Sequence, residues 1–212
     1  MRRHTVPTAI TTRFRQRSSA TTMTALLLLA SCMTLPSQTA RAQKTEYHVD
    51  RSAKNVVKFV SDAPVEDFEG VTDKIDGYLL YQGDDLTAGS DVYLEVDLRT
   101  LDTGIGLRNR HMHEDYLHTD KYPHAKFSGR IIEVSPAGGN TNVKVRGTMD
   151  IHGVKRPMEV KGSITGSGDR LRVRTTFDVK LTDHKIEVPQ FMFLKIDENM
   201  ELVLDFTLKK AT

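Results

Sequence analysis

Residues 107–127, LRNRHMHEDYLHTDKYPHAKF, gather His111, His113, His118 and His124 with Arg108, Arg110 and the acids Glu114, Asp115 and Asp120. Side chains of these types support three kinds of chemistry. Imidazoles and carboxylates ligate zinc or copper. Paired carboxylates and imidazoles move protons. Arginine forks hold phosphate or carboxylate oxygens. Spacing argues against the first two. The histidines stand 2, 5 and 6 residues apart, with no H-E-x-x-H or CxxC element to fix a ligand geometry. The neighbouring pairs Glu66/Asp67 and Glu114/Asp115 point apart on a helix, and the chain has no G-x-S-x-G elbow and no cysteine nucleophile. The third chemistry suits a polar lip on an apolar cavity. There Arg108, Arg110 and His111 present donors to an anionic or hydroxylated head group, while Met112, Leu117 and Tyr122 face inward. The competing outcome is an exposed helix whose arginines pair with Glu114, Asp115 or Asp120.

The elements that must carry this stretch read with period two. In DVYLEVDLRTL, Val92, Leu94, Val96 and Leu98 share one face and the charged residues share the other. The alternation returns in NVKVRGTMDIH, RLRVRTTFDVKL and ELVLDFTLKK, and more weakly at 45–50, 54–61, 74–82, 125–134 and 157–165. Turn-forming QGDD, SPAGGN, IHGVKRP and TGSGD separate the runs, which predicts antiparallel hairpins. About eight or nine strands with one apolar face each hide those faces and their edges together by closing into a barrel. Four glycines fall on the predicted inner faces, Gly77, Gly129, Gly147 and Gly162. Such glycines either let strands bend or leave room for a lumen. Two segments break the period: 63–73 reads as a short helical turn, and 103–123 as a helix over a barrel end, stopped by Pro123.

Residues 1–42 read as an export signal. Five arginines and no acid in 1–22 precede the short apolar run MTALLLLASCMTL and the Ala40-Arg41-Ala42 pattern. The alternative is a lipoprotein signal ending before Cys32, which would anchor the protein to a membrane. Either way the domain is expected to be periplasmic or secreted, with no transmembrane segment in its mature part. This segment holds six of the 30 basic residues and none of the 28 acidic ones, so 24 basic against 28 acidic residues leave residues 43–212 at a formal −4. That balance argues against a nucleic-acid partner.

Four stretches carry a family resemblance: FEGVTDKIDGYLLY (68–81), TGIGLRNRHMHEDYLHTDKYPHAKFSG (103–129), VRGTMDIHGVKRPMEVKGSIT (145–165) and FDVKLTDHKIEVP (177–189). In order and spacing the chain resembles the YceI-like proteins, exported bacterial lipid-binding domains with a lipocalin-like barrel. The resemblance implies an extended antiparallel barrel whose pore holds a long isoprenoid chain without acting on it chemically. It marks Arg108, His111, Tyr122 and Pro123 as positions of the family's helix motif. Met112 stands where the family has leucine, and HEDYL replaces a longer segment beside the expected pore.

The expectation is therefore an all-β, lipocalin-like barrel at 43–212, with one or two short helices covering an end, that binds a polyisoprenoid or other long-chain lipid and is not an enzyme. It needs no cofactor and is compatible with a homodimer. The expected ligand contacts are Phe59, Leu79, Leu94, Arg108, His111, Met112, Leu117, Tyr122, Phe127, Met149, Met158, Phe177, Phe191, Phe193 and Phe206. Two alternatives stand beside it: a metal- or haem-handling protein using His111, His113, His118 and His124, or a structural, partner-binding barrel without ligand.

Overall fold

The runs of alternating residues form strands, and the strands close on themselves. The structure, a computed structural model, describes residues 43–61, 67–191 and 194–211; the expected export segment, 1–42, lies outside these. The strands are β1 (Lys44–Val49), β2 (Val56–Ser61), β3 (Phe68–Thr72), β4 (Ile75–Gln82), β5 (Asp91–Asp97), β6 (His124–Ala137), β7 (Asn140–Ile151), β8 (Val154–Thr165), β9 (Arg170–Lys180), β10 (Gln190–Phe191), β11 (Leu194–Lys195) and β12 (Asn199–Lys210). Between β5 and β6 lies the helix α1 (Gly106–His111), continued by a π-helical turn, Met112–Tyr116. Apart from the small β10–β11 pair, all strands belong to one antiparallel sheet.

Closure depends on β12. One of its edges pairs with β9 from Asn199 to Lys209, while the other takes β2 along Met200–Asp205 and β1 along Leu208–Lys210. β1 and β2 thus fill one position of the barrel. β3, on β2, and β4, on β1, fill the next, and the result is a closed eight-position barrel. Where β1 gives way to β2 the ladder on β12 is broken, and the buried Asn55 repairs it. Its Nδ2 donates to the Asp50 carbonyl at 2.9 Å, and its Oδ1 accepts from the Thr207 N–H at 3.0 Å. One side chain thus serves both strands: it satisfies the Thr207 N–H and adds a second bond to the Asp50 carbonyl, which also accepts from the Ala53 N–H.

The alternation read from the sequence holds, so the inner face carries Val, Leu, Ile and Phe from every position. Three local expectations are corrected. Residues 68–72 are strand, not part of a helical turn, because Phe68–Thr72 pairs with Val57–Ser61; residues 62–66 lie outside the described part. The helix ends at Leu117, six residues before Pro123, because His118 takes a left-handed conformation (φ 45°) and the Thr119 N–H turns back to the His113 carbonyl. The IHGVKRP turn shrinks to His152 and Gly153, both at positive φ, and the rest is strand.

Pro157 is tolerated within β8 because that part of the strand has a free edge. β8 and β9 pair only over Gly162–Thr165 and Arg172–Thr175, and no pairing joins Val154–Lys161 to the end of β9. A residue without an N–H fits there. The 3₁₀ turn Leu181–His184 spans the far end of the split: buried His184 donates through Nδ1 to the Val154 carbonyl at 3.0 Å, and Arg156 Nε donates to the Asp183 carbonyl at 2.8 Å.

The structure also separates the two readings of the inner glycines. Gly129 and Gly147 are cross-strand partners, and a Cβ on Gly147 would lie 2.4 Å from the Ser128 carbonyl oxygen and 2.9 Å from the Gly129 Cα. They serve close backbone approach, whereas of the four only Gly162 borders the cavity described below. Gly147→Ala is therefore expected to destabilise the barrel by about 1–3 kcal/mol, measured as a shift in the denaturant midpoint at unchanged slope.

Candidate functional site

A cavity of about 800 Å³ lies inside the barrel, within the range of small-molecule sites. β7 contributes Val143, Val145, Met149 and Ile151 to its wall, β9 contributes Val173, Thr175, Phe177 and Val179, and β12 contributes Leu202, Leu204, Phe206 and Leu208. Each set is spaced by two, save the step over Gly147 in β7, so the pleat places alternate side chains on the wall. Polar side chains on the wall are few: Tyr78, Arg108, His111, Tyr116, Lys126 and Thr175. The lid, α1 with its π turn, borders the cavity through Leu107, Arg108, His111, Met112, Tyr116 and Leu117.

The lid is tied down by a network that starts before the helix. Val71 and Asp102 exchange backbone hydrogen bonds, which joins the lid's approach to β3. The Asp102 carboxylate accepts from the Gly104 N–H and from Asn109 Nδ2, and Asn109 Oδ1 accepts from the N–H and hydroxyl of Thr103. Arg108 completes the network: Nε donates to Thr103 Oγ1 at 3.0 Å, one Nη donates to the Thr103 carbonyl at 2.8 Å, and the guanidinium sits 4.6 Å from the centre of the Phe68 ring. The expected pairing of Arg108 with Glu114, Asp115 or Asp120 is replaced by this clamp, which only a planar fork can make. Arg108→Lys should cost about 1–2 kcal/mol and loosen the lid, read as faster amide exchange at residues 106–117 with the strands of the barrel unchanged.

The sequence-predicted residues fall into three groups. Phe59, Leu79, Leu94, Arg108, His111, Met112, Leu117, Phe127, Met149, Phe177 and Phe206 all border the cavity. Met158 packs in the wall beside Phe127 and Met149 without reaching the cavity. Tyr122, expected to face the lumen, instead packs its ring 4.5 Å from His152 and against Gly153, because the turn after His118 carries it out over the β7–β8 hairpin. Phe193 and the side chain of Phe191 lie outside the described part. The sequence missed Ile186, Pro189 and Ile196, which line the wall from the aperiodic stretch after β9, where no period exists to find them. It also missed Lys126, which an outward reading of β6 hides.

The four histidines do not converge, which corrects the metal-box reading. His111 is at the cavity mouth, His113 buries an unpaired Nε2, His118 meets His152, and His124 begins β6 opposite Asp97. Among the described residues no three His, Cys, Asp or Glu side chains are placed to hold a metal. His118 and His152 instead latch the lid to the β7–β8 hairpin. Their Nδ1 and Nε2 are 2.8 Å apart with stacked rings. His152 Nδ1 donates to the His184 carbonyl at 3.3 Å, so its Nε2 accepts from His118. Burial from water holds the His152 imidazole below the ordinary 6.5, against the raising effect of its bond to the His184 carbonyl; positive charge on His118, Lys121 and His184 adds to the lowering. A lowered folded-state pKa means that the unfolded chain binds the proton more readily. This contribution to stability is complete above 6.5 and is lost as pH falls through the lowered value. The melting temperature should therefore fall on acidification from about pH 7 to about pH 5, and His152→Asn, which accepts the same positive φ, should flatten that dependence.

A closed antiparallel barrel with an apolar cavity and a clamped helical lid defines a class, the small-molecule-holding β-barrels. Residues 47–208 match the model of the YceI-like domain. The chain belongs to the YceI-like family. A UPF0312 protein of Vibrio cholerae is 28% identical over 144 residues, covering 66% of this chain and 72% of its own. Another from Photorhabdus laumondii is 32% identical over 82 residues, 38% of this chain and 41% of its own. Among solved structures, Burkholderia cenocepacia BcnA superposes with a TM-score of 0.62 at 20% identity over 77% of this chain and 99% of its own. A domain from Saccharophagus degradans, described as polyisoprenoid binding and implicated in plant cell wall breakdown, gives 0.61 at 19% identity over 78% and 98%. These likenesses show the same fold.

Proposed function

We propose that the protein is an exported binding protein that holds one long-chain amphiphile, a polyisoprenoid, in the barrel and carries or stores it unchanged. The observation that carries this is the cavity: about 800 Å³ of space walled by Val, Leu, Ile, Met and Phe from the strands, with its basic side chains, Arg108 and Lys126, and the imidazole of His111 few and partly exposed. Burial of apolar surface contributes about 0.8 kcal/mol per CH₂ removed from water, so a tail dominates affinity here and a head group held at the mouth selects. The polyisoprenoid binding described for the Saccharophagus degradans domain supports the tail chemistry. The basic and apolar pattern of residues 1–42 supports export. Among the described residues, no helix is long and apolar enough to cross a membrane.

Native mass spectrometry and organic extraction of the protein purified from its own cell should yield a stoichiometric isoprenoid. Leu94→Trp places a bulky indole in the lumen. It should leave the melting temperature within a few degrees while lowering affinity for a prenyl probe about tenfold or more. Absence of extractable lipid together with no probe binding would sink the reading.

A further inference from the structure

Two large apolar side chains project into solvent at the cavity mouth. Ile105 is 51% exposed and Leu107 56% exposed, the two exposed large hydrophobic residues among those described. Both also border the cavity. The apolar lining therefore runs from the lumen onto the outer surface without a polar break, unlike an isolated exposed leucine, which calls for no explanation.

The tip segment itself, residues 103–113, carries fixed charge of one sign. Residues 103–113 contain Arg108, Arg110, His111 and His113 and no acid, and Lys126 borders the same mouth. Asp102, just before, is engaged by Gly104 and Asn109, and Glu114 and Asp115 mark the patch's limit on the π turn. Among the described residues Arg110 has no acidic partner, and Lys126 stands in register between Glu95 on β5 and Asp150 on β7 without an ion pair to either. The domain as a whole is acidic, at a formal −4 for residues 43–212 with the mouth's cations included. An anionic surface therefore repels most of the molecule and attracts this mouth, which sets an orientation.

We propose that the mouth docks on an anionic lipid bilayer, with Ile105 and Leu107 entering the acyl boundary and Arg110 and Lys126 meeting lipid phosphates. Apolar tip and cationic flank are the two components of interfacial binding. The proposal rests on the lipid-holding function and explains how it is exercised. A hydrocarbon tail that left a membrane through water would expose each of its CH₂ groups at a cost in free energy. A mouth whose lining continues into the bilayer passes the tail across without that exposure.

The chain has no tryptophan, so Leu107→Trp supplies a single reporter at the tip and Ser167→Trp, in the β8–β9 turn, one at the opposite barrel end. With phosphatidylglycerol vesicles, the tip reporter should shift to the blue and be quenched by lipids brominated along the acyl chain, while the Ser167→Trp reporter does neither. In vesicle co-sedimentation, charge reversal by Arg110→Glu should weaken binding about fivefold. Ile105→Asp/Leu107→Asp should reduce binding about tenfold or more, and phosphatidylcholine vesicles should bind far less. The docking proposal is overturned if both reporters respond alike or neither responds. It is also overturned if light scattering shows a second copy burying the tip at the assay concentration. Isoprenoid recovered from protein that does not dock sinks this inference alone, whereas docking by protein that holds no lipid sinks the carrier function instead.

Discussion

The pairing of β12 with β9 on one edge and with β1 and β2 on the other is the constraint on which everything else depends. A sheet whose strands each bury one face can hide that face by closing, and with eight positions the enclosed space is just wide enough to be filled by side chains or to hold one ligand. Here the wall is built mostly of mid-sized aliphatic residues, with the small Thr175 and Gly162 set among them. The same apolar surface that drives folding is thus left partly uncovered at the axis. A bound tail would cover it, so occupancy and stability are coupled through mass action.

At three interruptions of the ladder, side chains supply hydrogen bonds. Asn55 repairs the gap between β1 and β2, Ser90 accepts from the Ile131 N–H beside the β6 bulge, and His184 and Arg156 span the split between β8 and β9. Arg108 does the same for the lid by gripping Thr103 and covering Phe68. Regions held by few side-chain bonds open more readily than continuous ladder. The lid and the β8–β9 split, held by side-chain bonds in place of continuous ladder, both lie on the cavity wall.

Period-two alternation made the barrel and its inner face legible, because a strand has only two sides and burial selects one. It placed Val143 to Ile151 and Leu202 to Leu208 on the wall correctly, and cavity-bordering aromatics such as Phe127 and Phe177 followed. It failed where backbone conformation, not hydropathy, decides. His118 at positive φ ends the helix before Pro123 and redirects Tyr122 outward. His152 lies 34 residues from His118, and no local pattern signals their contact. The crowded histidines looked like a cluster because they are close in sequence, yet helix, turn and strand send them to different places. Leu107 lies in the stretch read as a helix over a barrel end, but its exposure depends on how the clamp at Thr103 sets the helix over the mouth.

The apolar axis of the barrel is tested by density inside it. A high-resolution crystal structure of the protein purified from its own cell should show elongated, hydrocarbon-shaped density in contact with Leu94, Val145, Phe177 and Leu204. Side chains packed across the axis, or a hydrogen-bonded file of water along it, would contradict that expectation.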